Sequence, residues 1–396
     1  MIRAFALVLG LIAAASSAAT AQVSLPVPTP DMQLPLPNAG EVVSRTVEGA
    51  PLREVRRLRI DELLRAHRRE LEADPRGQPI VRSQILALAI NPEALVRAEA
   101  LGFSVVRRDP LGDDSVLFTL RAPRGMSTRR ALERLRSLDP GGVYDFDHLH
   151  LESGAASGAI LMGQAGGARA PPRIGLIDSG IAGQSTQGGA FALRRAFSGV
   201  DARASDHGEI VATRLLMAAP GARLYGADIY GGAAEGGSSS ALARALAWLA
   251  EENVPVINVS LVGPRNRIVE AIVARLVGRG HAIVAAVGND GPAAAPLYPA
   301  AYEGVIGVSA VDARGRVLME AGRGAHVDFA ANGMVNARVR GTSYAAPIVA
   351  GVLAQHYTLL DPAALENALN ALRAQAQDLG ASGRDPIYGY GLIEAP

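Results

Sequence analysis

From Arg173 onward the chain repeats one pattern: a short, mainly apolar run followed by a stretch of helical spacing. The runs lie at 174–177, 222–229, 254–259, 282–287 and 305–311, with helical stretches at 209–217, 239–252 and 267–279 between them. Runs this short, with no polar residue at every second place, read as strands buried on both faces. Strand–helix alternation then builds a mostly parallel sheet with helices on both sides. In such a sheet a ligand site sits outside the carboxyl ends of the strands, so chemistry is expected just after the apolar runs.

The 79–150 stretch has a different organisation and predicts a small α+β unit. Residues 80–90 are strand-like. Asn91 and Pro92 supply a helix cap and first position, and Gly102 ends that helix after Leu101. Strands are expected at 103–107 and 115–121, a second helix opens at Ser127, and a last strand covers 143–149. Before this unit, 52–73 carries Leu58, Leu63, Leu64 and Leu71 among charged residues and predicts a solvated amphipathic helix. Residues 22–40 are proline-rich and read as the start of a linker segment running to residue 78. The Gly/Ala-rich 151–172 stretch reads as a cleavable junction ahead of a 173–396 domain. Arg3, the apolar run 4–15 and Ala19-Thr20-Ala21 have the form of a secretory signal peptide cleaved after Ala21, the alternative being an uncleaved anchor.

With 396 residues the chain is long enough for two folded parts. It has no cysteine, which excludes disulfides, thiolate catalysis and Cys-ligated metals. All 39 of its Lys/Arg residues are arginine, which removes Schiff-base chemistry, a P-loop lysine and a Ser-Lys dyad. A formal net charge of +1 gives no pull toward nucleic acid or an anionic membrane.

Three remote segments each set one polar residue in a glycine-flanked turn. Asp178 ends Ile174-Gly175-Leu176-Ile177-Asp178-Ser179-Gly180, His207 sits in Asp206-His207-Gly208, and Ser343 sits in Gly341-Thr342-Ser343-Tyr344-Ala345-Ala346-Pro347. A serine hydroxyl needs a base, and the base needs a carboxylate to fix its tautomer. With no lysine present that base is a histidine. Ser343 opens a helix, where its backbone N–H can face a developing oxyanion. Asn289, after the apolar run 283–287 and before Asp290-Gly291, offers an amide donor for the same charge, or serves as a turn asparagine. His148 and His150 alternate beside Asp147, too few groups to define a metal site.

The order Asp…His…Ser and the Gly-Thr-Ser-x-Ala-x-Pro string resemble the subtilisin-like serine peptidases over residues 173–396. The resemblance implies an α/β catalytic domain with a mostly parallel sheet, preceded by a small α+β propeptide-like domain at 79–150. It implies Asp178, His207 and Ser343 as triad and Asn289 in the oxyanion hole. It also implies a cleft for extended peptide or protein substrates, lined by Tyr230-Gly231-Gly232 on one side and Ser260-Leu261-Val262 on the other, with the propeptide as intramolecular inhibitor. No cofactor takes part in this chemistry. Relatives often bind structural calcium, for which no acidic loop here assigns ligands. An exported protein with no lasting membrane anchor is expected. Two departures stand out. Glu209 replaces a small residue after His207-Gly208, and would raise the histidine's pKa. Val262 and Val287 replace small residues, and would narrow the pocket for the residue before the scissile bond. A catalytically silent, peptide-binding relative and a permanent N-terminal binding domain stay open. An esterase is disfavoured because Ser343 lacks a Gly-x-Ser-x-Gly elbow.

Overall fold

The computed structural model describes residues 52–112, 115–152, 171–180, 190–199, 201, 205–231 and 236–395. The signal-peptide and proline-rich segments, and most of the 151–172 junction, lie outside these residues.

The N-terminal part runs α1 (Leu52–Ala66), β1 (Leu71–Ala73), β2 (Pro79–Leu88), α2 (Pro92–Ala100), β3 (Ser104–Pro110), β4 (Val116–Arg121), α3 (Thr128–Leu138) and β5 (Val143–Glu152). Its strands form an antiparallel sheet in the order β5-β2-β4-β3, with β1 paired along β2. Asn91 caps α2 by accepting the Glu93 N–H at 2.8 Å, and Ser127 caps α3 by accepting the Arg130 N–H at 3.4 Å. Ala98 of α2 and Leu132 and Leu135 of α3 pack on Ile85, Leu120 and Phe146 of the sheet, which closes a separate small core.

The second part runs β6 (Arg173–Asp178), β7 (Phe191–Ala196), α4 (Asp206–Ala218), β8 (Arg223–Asp228), β9 (Gly237–Ser238), α5 (Ser239–Glu251), β10 (Val256–Val259), β11 (Leu261–Val262), α6 (Arg267–Gly278), β12 (Ala282–Ala286), β13 (Ile306–Val311), β14 (Phe329–Asn332), α7 (Thr342–His356), α8 (Pro362–Gln375) and β15 (Leu392–Ile393). Eight strands form one parallel sheet in the order β15-β14-β13-β12-β10-β6-β8-β7. One face is covered by α4, α7 and α8 and the other by α5 and α6, as separate apolar clusters. The order reverses at β6: the chain first builds outward through β7 and β8, then returns to lay β10, β12 and β13 on the other side. That switch opens a crevice at the carboxyl ends of β6 and β10.

The two parts are joined by β5. Beyond its pairing with β2, it runs antiparallel to β9, with Leu149 opposite Ser238 and His150 opposite Gly237. It also runs antiparallel to β11, with Leu151 opposite Val262 and Glu152 opposite Leu261. Its aspartates cap helices of the second part. Asp147 accepts the Ser240 N–H at 2.9 Å and the Ser240 hydroxyl at 2.8 Å, while Asp145 accepts the Arg267 N–H at 2.8 Å. First-turn N–H groups have no partner inside their own helix, so these carboxylates supply acceptors and complement the helix dipole. The Asn266 amide adds a 2.8 Å hydrogen bond to the Phe146 carbonyl.

Two sequence expectations change. The helix predicted over 52–73 ends at Ala66, because Leu71–Ala73 satisfies its backbone on the edge of β2. Nor is α1 simply solvated: Ile60 is 4% exposed, and Arg56 pairs with Asp290 at 3.3 Å. The last strand reaches Glu152 rather than stopping at 149, since β9 and β11 carry its pairing onward.

Because Asp147 is fully enclosed and serves two donors of Ser240, Asp147→Ala is expected to destabilise the joined structure by about 1–2 kcal/mol. Urea unfolding of the full chain measures this; an unchanged midpoint would show that the cap contributes nothing.

Candidate active site

Asp178 is the last residue of β6 and lies at the switch crevice, 1% exposed. The Ser179 N–H donates to its Oδ1 at 2.7 Å, which fixes the carboxylate from its own turn. His207 is the second residue of α4, whose cap Ser205 accepts the His207 N–H at 3.2 Å. The imidazole Nδ1 meets Asp178 Oδ1 at 2.7 Å, both residues being buried. Ser343 is the second residue of α7, and the ring of the next residue, Tyr344, lies 5.3 Å from the His207 ring. His207 Nε2 and Ser343 Oγ are both buried and make no hydrogen bond among the described residues. The Asp178–His207 hydrogen bond and the contact of the Tyr344 and His207 rings thus bring together three segments 29 and 136 residues apart in sequence.

Neighbouring groups hold this arrangement. The Ser260 hydroxyl, just after β10, donates to the Ser343 carbonyl at 2.9 Å and accepts from the Asn258 amide at 2.9 Å. Asn289 follows β12 and its Oδ1 accepts the Thr342 N–H at 3.0 Å, so the side chain is oriented by the residue next to Ser343. The Thr342 hydroxyl in turn accepts the Gly288 N–H at 3.1 Å. Asp178, His207, Ser343 and Asn289 are therefore brought together, with Ser260 bonded to the same turn.

Of the cleft residues expected from the sequence, Leu261 and Val262 form the edge that pairs with β5. Gly231 does not: its N–H donates to Asp228 Oδ1 at 2.9 Å and closes a turn. Gly232 lies outside the described residues. The opposite edge is instead Gly237–Ser238, preceded by Gly236. A Cβ on Gly236 would stand 2.4 Å from the His150 carbonyl oxygen, so only glycine lets β5 approach this closely. The signal in the sequence was the Gly236-Gly237 pair directly before the Ser238 helix cap.

The centre also contains a group that the sequence did not point to. Glu152, the last residue of β5, places a carboxylate oxygen, with ligand atoms of Asp178 and His207, in a cluster spanning no more than 4.8 Å. Asp178 and His207 are engaged with one another, so this cluster has the chemistry of a proton-transfer pair with an added anion. His148 and His150 take separate partners, Asp74 and Asn266 for the first and Ser239 for the second. Burial works against a charge on His207, but attraction from Asp178 and from Glu152, with the Asp178 hydrogen bond, pushes its pKa up to about 9. The carboxylate that joins Asp178 in this effect is Glu152, at the end of β5, in place of the sequence expectation of Glu209.

A raised histidine pKa stabilises the assembled chain fully below pH 6.5, and that contribution is lost as the pH rises through about 9. Glu152→Gln removes one of the two attracting anions, so the His207 pKa of the unprocessed chain is expected to fall. NMR titration of the imidazole in the full chain checks this, and an unmoved pKa would remove Glu152 from the account.

The geometry agrees with comparisons to known proteins. The model of the subtilase family matches residues 198–391. Subtilisin DY of Bacillus licheniformis is 30% identical over 247 residues, covering 56% of this chain and 88% of that protein. Subtilisin Savinase of Lederbergia lenta is 32% identical over 191 residues, covering 46% of this chain and 69% of the relative. In fold, the chain is similar to the crystal structure of fervidolysin from Fervidobacterium pennivorans, a keratinolytic enzyme related to subtilisin. The TM-score is 0.66 at 18% identity, over 82% of this chain and 61% of that one. The chain belongs to the subtilase family of serine-type endopeptidases.

Proposed function

We propose that the protein is an exported endopeptidase, made as a self-inhibited precursor, that cleaves extended peptides through an acyl-enzyme. The observation that carries this is the 2.7 Å Asp178–His207 pair, with His207 Nε2 and Ser343 Oγ buried and making no hydrogen bond among the described residues. Ser343 attacks the scissile carbonyl and His207 takes its proton. The same imidazole then protonates the leaving amine, and water hydrolyses the ester. Asp178 holds the Nδ1–H tautomer and stabilises the imidazolium. The Asn289 amide and the Ser343 N–H, in the first turn of α7, receive the oxyanion. None of these steps calls for a cofactor, and structural calcium is left unassigned.

The substrate lies as an added strand between β9 and β11, held by main-chain hydrogen bonds. In the precursor that place is taken by residues 149–152 of β5. The N-terminal part is therefore the inhibitor, and cleavage in the junction releases it. Export is supported by the signal-like N-terminus and by relatives such as the minor extracellular protease Epr of Bacillus subtilis. No helix among the described residues is long and apolar enough to cross a membrane. Val262 lies on the edge strand β11 and Val287 just before the Asn289 turn, each 2% exposed, and these branched residues would favour a small residue before the scissile bond.

A fluorophosphonate probe is expected to label Ser343 of the processed protein, and failure to label would favour a silent, peptide-binding relative. Ser343→Ala should abolish peptide hydrolysis, by a factor on the order of 10⁶. Asn289→Ala should lower kcat by about 10²–10³ with little change in KM. N-terminal sequencing of the processed protein should find a start between residues 151 and 173; an intact N-terminal part in the active form would contradict the precursor. A peptide library should be dominated by Ala or Ser before the cleaved bond, and dominance of Phe, Tyr or Leu would overturn the narrow pocket.

A further inference from the structure

Upstream of the cleft, α5 and α6 both begin with donors aimed at β5. The second residue of α5, Ser240, gives Asp147 its N–H at 2.9 Å and its hydroxyl at 2.8 Å, one to each carboxylate oxygen. The first residue of α6, Arg267, gives Asp145 its N–H at 2.8 Å. Between these carboxylates the Asn266 amide donates to the Phe146 carbonyl at 2.8 Å. Asn266 is 0% exposed, and its Oδ1 is fixed by the Ile268 and Val269 N–H groups at 3.0 and 3.2 Å, which leaves its NH2 pointing at β5. Strand residues two apart share a face, so one extended chain meets both helix starts. On the proposed pathway all of these donors stay with the enzyme and all of their acceptors leave.

We infer that in the processed enzyme the starts of α5 and α6, with the Asn266 amide, form an upstream recognition site for acidic substrates. It takes carboxylates five and seven residues before the substrate residue in the place of Glu152. This rests on the reading of β5 as the occupant of the substrate cleft. First-turn N–H groups have no partner in their own helix and stand at the positive end of its dipole, so an anion is the favoured acceptor. The place of Asp147 suits a carboxylate, because two donors meet its two oxygens, whereas asparagine offers one acceptor oxygen and alanine none. Arg244 of α5 adds a cation on the enzyme side. It lies 3.6 Å from Asp109 of the departing part and attracts Asp147 as well. In the closed chain burial pushes the Asp147 carboxyl up, while the Ser240 bonds and Arg244 pull it down. A peptide brings no α+β unit to cover that carboxyl, whereas Ser240 and Arg244 remain. A lysine at either place meets a helix dipole of the wrong sign.

The test uses the processed enzyme and quenched peptides that copy residues 143–156, with Asp, Asn, Ala or Lys at the places of residues 145 and 147. The peptide with Asp at both places should exceed the one with Ala at both about tenfold in kcat/KM, mostly through KM, because these contacts lie far from the reacting bond. Lys should be poorest, and raising salt to about 0.5 M should shrink the Asp/Lys ratio. Ser240→Ala should cut the Asp/Ala ratio at place 147 about threefold and leave the ratio at place 145. Arg267→Pro removes the N–H that Asp145 accepts, at a first helical position that suits proline and after an extended Asn266. It should bring the Asp/Ala ratio at place 145 to about one. Arg267→Ala keeps that N–H and should keep the ratio. Asp/Ala ratios near one at both places, or ratios that neither Ser240→Ala nor Arg267→Pro moves, overturn the site. The reading beneath it fails differently. A processed protein that cleaves none of the peptides and takes no fluorophosphonate is no serine peptidase, and a full chain that labels as fast as the processed one has no strand blocking its cleft. Either result also removes the site.

Discussion

The backbone of β5 belongs to two sheets at once. Residues up to His148 pair with β2, and residues 149–152 continue past that strand to pair with β9 on one side and β11 on the other. Both of those partners are only two residues long, too short to hold a pairing by themselves. They have to be placed by what surrounds them: α5 begins directly after β9, and β11 follows β10 across the single residue Ser260. Take β5 away and two rows of backbone N–H and C=O groups face each other across a slot one strand wide, about 9–10 Å. Such edges have a strong need for partners, and the shape accepts an extended chain of almost any sequence. The same strand brings Asp145 and Asp147 to two helix N-termini, so backbone pairing and capping are made or lost together.

This arrangement explains which parts of the molecule could be read from the sequence. The middle of the parallel sheet was legible because β6, β10, β12 and β13 are buried on both faces and largely apolar; the edge strand β7, with Arg194 and Arg195 exposed, carries no such run. The small α+β unit was legible because Asn91, Pro92, Gly102 and Ser127 punctuate it locally. Asp178, His207, Ser343 and Asn289 stood out because each follows a strand or opens a helix in a glycine-marked turn. The edges of the cleft were read only in half. Leu261 and Val262 follow a clear strand, whereas Gly237–Ser238 is a strand only because β5 lies beside it, and no local pattern marks a pairing made at such distance. Gly231 looked equally suited, but Asp228 claims its N–H. The helix α1 was read as solvated because its arginines look like surface charge. Arg56 is instead 13% exposed against an Asp290 that is 16% exposed, a pairing that depends on a residue more than two hundred positions away.

Glu152 links the blocking strand to the chemistry. A general base must be neutral to accept a proton, and an imidazole with a pKa of about 9 is mostly charged at neutral pH. On the proposed reading, the closed chain covers the serine with a strand and biases its base toward the charged form. Both effects come from adjacent parts of one segment. When that segment leaves on the proposed pathway, His207 loses Glu152 but keeps Asp178, and the burial that opposes its charge is relieved as well. Arg59 leaves with the same part and acts in the opposite direction, but its influence on His207 ranks below that of Glu152. Loss of the Glu152 charge lowers the imidazole's pKa and renewed hydration raises it, so these two consequences of opening the cleft oppose one another.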